Sequence, residues 1–207
     1  MTVPLHTGRS NQKERTRAAI VAAGREAITS GGEVTMPDVA RRALVSEATA
    51  YRYFPDLASL LREALDGVWA TPQETMRPVA ASTDPAERIA FATRALLGEV
   101  VAYQGAVRVM IAASVTRPAA GMRPGRRFGL IDEALRPLND TMAIRNPTGF
   151  AQLKRSLAVV VSAEALFTLT DLCGLTPEAA IASAVETARA VTAAACRDPD
   201  NPGRAAG

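Results

Sequence analysis

The run TMPDVARRALVSEATAYRYF, Thr35 to Phe54, decides how this chain folds. Thr35 stands where a helix N-cap belongs. Pro37 falls in the first turn, where its missing N–H costs little, and Asp38 follows the cap by three residues in the manner of a capping box. This helix runs to about Ala43. Ser46 is a second cap, and the helix it opens ends near Phe54, because Pro55-Asp56 breaks it. Two short helices joined by three or four residues have the spacing of a helix-turn-helix.

Aromatic residues are 4% of the chain, yet Tyr51, Tyr53 and Phe54 crowd around Arg52 in four consecutive positions. At roughly 100° per residue, Glu47, Ala48, Tyr51 and Arg52 share one arc of the helix, and Ala50, Tyr53 and Phe54 the opposite one. The second arc can pack inward, which leaves a carboxylate, a methyl, a phenol and a guanidinium facing out. That set suits a major groove. Ala48 lets the backbone approach and can meet a thymine methyl, Arg52 can pair with guanine or phosphate, and Glu47 can accept from a cytosine amino group. The hydroxyls of Thr49, Tyr51 and Tyr53 can hold phosphates, as can the N–H groups at the helix starts capped by Thr35 and Ser46. An aromatic cluster at a helix end is as readily plain core, so pattern alone leaves both readings open.

Outward from this run the chain reads as helix throughout, an all-α protein of about nine helices without convincing strand alternation. Ile20, Ala23, Ala27 and Ile28 recur at helical spacing between about Asn11 and Ser30, and Gly31-Gly32 supplies a left-handed stop. Leu60, Leu61, Ala64, Leu65, Val68 and Trp69 mark a fourth helix, Asp56 to Ala70. Proline- and glycine-marked loops then divide helices over about 85–101, 106–115, 126–138, 149–172 and 177–196.

Composition narrows the function. The chain of 207 residues carries a net charge of +3. Residues 1–62 hold nine basic against six acidic side chains and the remainder balances, so any polyanion contact belongs in the first third. Cys173 and Cys196 sit in helical segments and read as buried thiols of a reducing compartment. No run approaches the roughly 18 apolar residues of a membrane helix, and the first ten residues hold no signal-peptide core. A cytoplasmic protein is expected. One histidine, His6, no CxxC pair, no HExxH and no glycine-rich phosphate loop leave the usual metal, triad and nucleotide constellations without parts. The expectation is therefore no enzyme and no cofactor. The alternative is a helical small-molecule-binding protein, or an enzyme of carboxylate-only chemistry, that does not bind DNA.

From Arg15 to Leu65 the order of residues resembles the N-terminal DNA-binding domain of the TetR family of transcriptional regulators. The positions in register are the Ile20 to Ala23 helix, the double glycine, Thr35, Val39-Ala40, Val45-Ser46, Thr49, Tyr51, Tyr53-Phe54 and Leu60. The resemblance implies a homodimeric, all-helical regulator whose third helix enters the major groove of an operator and whose C-terminal domain binds a small molecule that releases it. Carried over by position, phosphate contacts fall on Thr35, Thr49, Tyr51 and Tyr53, and base contacts on Glu47, Ala48 and Arg52, with Ser46 as cap. Three positions depart from the family's pattern. Leu44 stands where the turn commonly has glycine, Ala50 where a large aliphatic is usual, and Leu57 where a lysine often grips phosphate. Affinity would then lean on Arg41, Arg42 or the N-terminal Arg9, Lys13 and Arg15.

The expected organisation is a flexible tail at 1–10, the helix-turn-helix domain at 11–55, a connecting helix at 56–70, a ligand-binding and dimerisation domain at 71–197 and a disordered tail at 198–207. The last two long helices carry more apolar surface than a single stripe. Leu153, Leu157, Leu166, Ala182, Val185, Ala188 and Ala195 are candidates for a four-helix interface with a second copy, across about 149–196. Trp69, Met76, Phe91, Tyr103, Met110, Met122, Phe128, Met142 and Phe167 could line an apolar cavity, with Gln104, Arg108 or Glu164 as polar anchors. The RPGRR cluster, Arg123 to Arg127, reads as a solvated loop or a second anion site.

Overall fold

The computed structural model describes residues 6–30, 32–116 and 126–197. Twelve α-helices follow one another there: α1 (His6–Thr29), α2 (Met36–Arg42), α3 (Glu47–Tyr53), α4 (Leu57–Ala64), α5 (Pro72–Thr75), α6 (Pro85–Ala102), α7 (Gln104–Thr116), α8 (Arg126–Ala134), α9 (Met142–Arg145), α10 (Pro147–Val160), α11 (Ala163–Phe167) and α12 (Pro177–Arg197). Nine of them have seven residues or more; the short α5, α9 and α11 were not separate elements in the sequence reading. The described residues contain no strand. The chain divides into two compact units, Met1–Trp69 with Ala102–Arg123, and Ala70–Val101 with Pro124–Gly207.

In the first unit α1 packs on α2 and α4, α2 on α3, and α4 on α7. Its core includes Ile20, Ala23, Ala27 and Ile28 from α1, Val39 and Ala40 from α2, Ala50 and Phe54, and Leu60, Leu61, Ala64 and Leu65, whereas Val68, expected on the same stripe, is 41% exposed and Trp69 is half-buried. The expected division was linear, but α7 is grouped with the first unit rather than with the residues around it. A side chain at Gly105, in the first turn of α7, would stand 2.7 Å from the carbonyl oxygen of Gly32, so the close approach of these two backbones requires glycine. Helix α1 starts at His6, five residues before the expected Asn11, and among its described side chains the first buried is Ile20. Helix α4 stops at Ala64, well short of Ala70, and Gly67 turns the chain at φ 71°.

The second unit buries Ile89, Ala92 and Leu96 of α6, Leu130, Ile131 and Ala134 of α8, Leu153 and Leu157 of α10 and Ala188 of α12 around one core. The segment expected as one helix over 149–172 is broken. Val161 leaves helical geometry at ψ 66°, Ser162 caps α11 by accepting the Ala165 N–H at 3.0 Å, and a π-helical turn, Thr168–Leu172, follows. Three consecutive β-branched residues, Val159 to Val161, weaken the helix where a serine offers the backbone another partner. The carbonyls freed by the break are taken: Val159 accepts the Ser162 hydroxyl at 2.8 Å and Ala158 accepts Arg127 Nη1 at 3.2 Å.

Two further expectations are corrected. Both cysteines are exposed, Cys173 in the exposed stretch just after the π-helical turn and Cys196 near the end of α12, and neither is a core thiol. Leu153, Leu157, Leu166, Val185 and Ala188 all face the interior of their own protomer, with exposures of 3% or less. The apolar excess of α10, α11 and α12 is largely used within the chain.

Candidate nucleic-acid interface

Each helix of the central motif is closed by side chains the sequence places at its ends. Thr35 Oγ1 accepts the Asp38 N–H at 3.3 Å, and Ser46 Oγ accepts the Thr49 N–H at 3.2 Å. Asp38 answers differently from a full capping box. Its Oδ2 takes the Thr35 hydroxyl proton at 2.9 Å and its Oδ1 pairs with Arg41 Nη2. Arg41, then Thr35, hold the Asp38 carboxyl below the usual carboxylate range.

The turn between α2 and α3 keeps a left-handed residue although glycine is absent. Leu44 sits at φ 55° with 92% of its surface exposed. The Leu44 N–H donates to the Arg41 carbonyl at 3.2 Å and the Val45 N–H to the Ala40 carbonyl at 3.0 Å, the paired bonds of a Schellman motif. Those two bonds and the half-buried Val45 over-determine the turn, so a leucine is held where it is disfavoured.

Helix α3 separates its two arcs as its spacing requires. Glu47, Ala48, Tyr51 and Arg52 are exposed, Ala50 and Phe54 are buried, and Thr49 and Tyr53 are half-buried. Arg52 lies over the Tyr53 ring at 5.7 Å, which pre-orders the guanidinium beside a phenol. The hydroxyls of Ser46 and Thr49 bond each other at 2.9 Å. Ala50 is fully buried, so its neighbours fill the space of the missing aliphatic. Leu57 is half-buried in the first turn of α4 and brings no cation there.

Two residues outside the sequence reading fix this platform. Arg17 of α1 makes a forked pair with Glu63 of α4, Nε to Oε1 at 3.0 Å, and its guanidinium lies 4.6 Å from the centre of the Phe54 ring. It thereby joins α1, the end of α3 and α4 along a groove of about 550 Å³. Arg25 donates from Nε to the Ala64 carbonyl at 2.8 Å and closes the end of α4. Neither contact has a local sequence signal, since the partners are 46 and 39 residues away.

Among the supplementary cations, Arg41 is engaged by Asp38, and Arg42 reaches Ser30 Oγ at 3.5 Å. Lys13 and Arg15 are exposed on α1. The side chains of His6 and Arg9 lie outside the described residues, as do Gly31, Met122 and the first three residues of the RPGRR cluster. Its last two form internal clamps. Arg126 pairs with Glu99 at 2.8 Å, and Arg127 with Glu164 at 3.0 Å.

The candidate effector residues divide between the two units. In the first, Trp69 and Tyr103 meet edge to face at 6.2 Å, Met110 is buried, and Gln104 and Arg108 are exposed. In the second, Met142 and Met76 belong to the core, Phe91 lines a hollow of about 210 Å³ beside Arg94 and Arg189, Phe128 is 53% exposed, Glu164 serves Arg127, and Phe167 is half-buried.

With this geometry in hand, comparison with known families is specific. Residues 20–64 match the family model for bacterial regulatory proteins, tetR family. The match opens at Ile20 of α1 and closes at Ala64, the last residue of α4, so it covers the later part of α1, the helix-turn-helix and α4. It supports a DNA-binding regulatory role in general. No curated protein matches the chain. No single helix among the described residues is long and apolar enough to cross a membrane.

Proposed function

We propose that this protein is a cytoplasmic, non-enzymatic transcriptional regulator, a homodimeric repressor that a small hydrophobic molecule releases from a near-palindromic operator. The observation that carries the reading is the outward face of α3, where Glu47, Ala48, Tyr51 and Arg52 stand clear of a core closed by Ala50 and Phe54. In use, α3 lies in the major groove. Ala48 allows close approach, Glu47 and Arg52 read base edges, and Thr35, Thr49, Tyr51 and Tyr53 position the backbone. Ser46 holds the start of the helix in shape.

Two copies would set their third helices about 34 Å apart, in successive major grooves. Pairing runs through the 149–196 region, on the outward residues of those helices, since the inward ones are already packed. Effector binding changes the separation of the two recognition helices, so that both grooves can no longer be engaged together. No cofactor takes part.

Selection of bound duplexes from random sequence tests this. The expected product is an inverted repeat, and Tyr51→Ala or Arg52→Ala lowers affinity for it by about ten-fold or more. A screen of hydrophobic metabolites then identifies compounds that dissociate the complex. Recovery of no preferred duplex, together with tight small-molecule binding, would favour a ligand-binding protein that does not touch DNA.

A further inference from the structure

We propose that Asp38 is a built-in competitor of the DNA backbone, occupying Thr35 and Arg41 in the free protein so that a phosphate must displace it. The inference rests on the DNA-binding reading above and concerns how strongly that site binds. Thr35 has one hydroxyl proton, and it is given to Asp38 Oδ2 at 2.9 Å while the lone pairs of the same oxygen receive the Asp38 N–H. Phosphate oxygens only accept. In this state Thr35 has no proton left for one. Arg41 Nη2 is paired with the other carboxylate oxygen, so Asp38 offsets part of the Arg41 charge at the exposed end of α2.

The first helix of a helix-turn-helix crosses the nucleic-acid backbone. Asp38 thus sits where a phosphate would sit, offering two acceptor oxygens to a hydroxyl and a guanidinium. The contact is displaceable because it is exposed: the side chains of Arg41 and Asp38 keep 74% and 40% of their surface in solvent, where ion pairs are weak and screened. It tunes affinity without locking the site. In a chain with Leu57 in place of a phosphate-gripping lysine, release of Arg41 supplies a cation near the backbone.

The test is a cycle of Asp38→Asn and Arg41→Met in the full-length protein, with affinity for a duplex measured across salt concentrations. Asp38→Asn is expected to tighten binding several-fold at low salt and to steepen the plot of log affinity against log salt by about 0.9 for each phosphate newly neutralised. Arg41→Met lowers affinity less in the wild-type protein than in the Asp38→Asn background, where it removes most of the gain. A gain that survives Arg41→Met would reflect bulk charge and overturn the proposal. So would weaker or unchanged binding by an Asp38→Asn protein whose helical circular dichroism and melting match the wild type; Asp38→Ala serves if Asn perturbs the cap. A wild-type protein that binds no duplex at low salt would instead remove the DNA-binding reading itself.

Discussion

Leu44 carries the clearest conflict between a residue and its backbone. A non-glycine side chain in the left-handed region costs about 1–2 kcal/mol, and with 92% of its surface in solvent Leu44 recovers none of that through packing. Glycine would relieve the strain but would add freedom to the unfolded chain, which offsets roughly 0.5–1 kcal/mol. Leu44→Gly is therefore expected to stabilise the protein by about 0.5–1 kcal/mol and raise its Tm by about 2 °C. Calorimetry showing an unchanged or lower Tm would mean that the leucine makes a compensating contact. At the same scale the outward set of α3 was legible from spacing. The partners of Arg17 and Arg25 were not, because the groups they find lie 46 and 39 residues away and are brought in only by folding.

At the scale of elements, helix ends decide most of what the sequence reading placed less well. The capping box of α5 was written in the sequence: Thr71 and Glu74 exchange their bonds at 2.8 and 3.2 Å, in a stretch read as loop. Arg88 was legible in part, since it falls on the inward stripe of α6 with Ala92 and Leu96. Its side chain is 1% exposed and reaches the carbonyls of Val79 and Glu133 at 2.7 Å and of Ala134 at 3.1 Å. It thus closes the end of α8 and the turn Arg77–Val79 together. Burial pulls its pKa down, yet guanidinium remains charged at neutral pH. Arg88→Met leaves several buried carbonyls without donors and is expected to cost about 3 kcal/mol or more in urea unfolding. Arg88→Lys should rescue little, because an ammonium cannot fork between two helix ends; full rescue by lysine would show that charge alone matters.

For the whole molecule, the proposed pairing of two copies needs surface that the protomer has not used. On α12 that surface is Ser183, Thr187, Ala190 and Ala194, exposed at i, i+4, i+7 and i+11, and on α10 it includes Val159, 72% exposed. Small residues at this spacing allow helices to approach closely. If they form the interface, Ala190→Arg yields a folded monomer in sedimentation equilibrium whose affinity for the two-site operator falls about 100-fold or more, through loss of bivalency. A dimer that persists in this variant would move the interface to another face.

The sequence by itself determined the helical class, the positions of most of the long helices, the two caps of the central motif and the division of α3 into a buried and an exposed arc. These are local properties, set by periodicity and by residues within one turn of a helix end. Tertiary structure alone decided that α7 is grouped with the DNA-binding unit, that five of the seven expected interface residues are core, and that Arg17 finds Glu63 and Arg25 the Ala64 carbonyl. An apolar residue on a helix carries no label for which surface will cover it, and a charged group none for its partner. Both are chosen only when segments far apart in the chain compete for the same space.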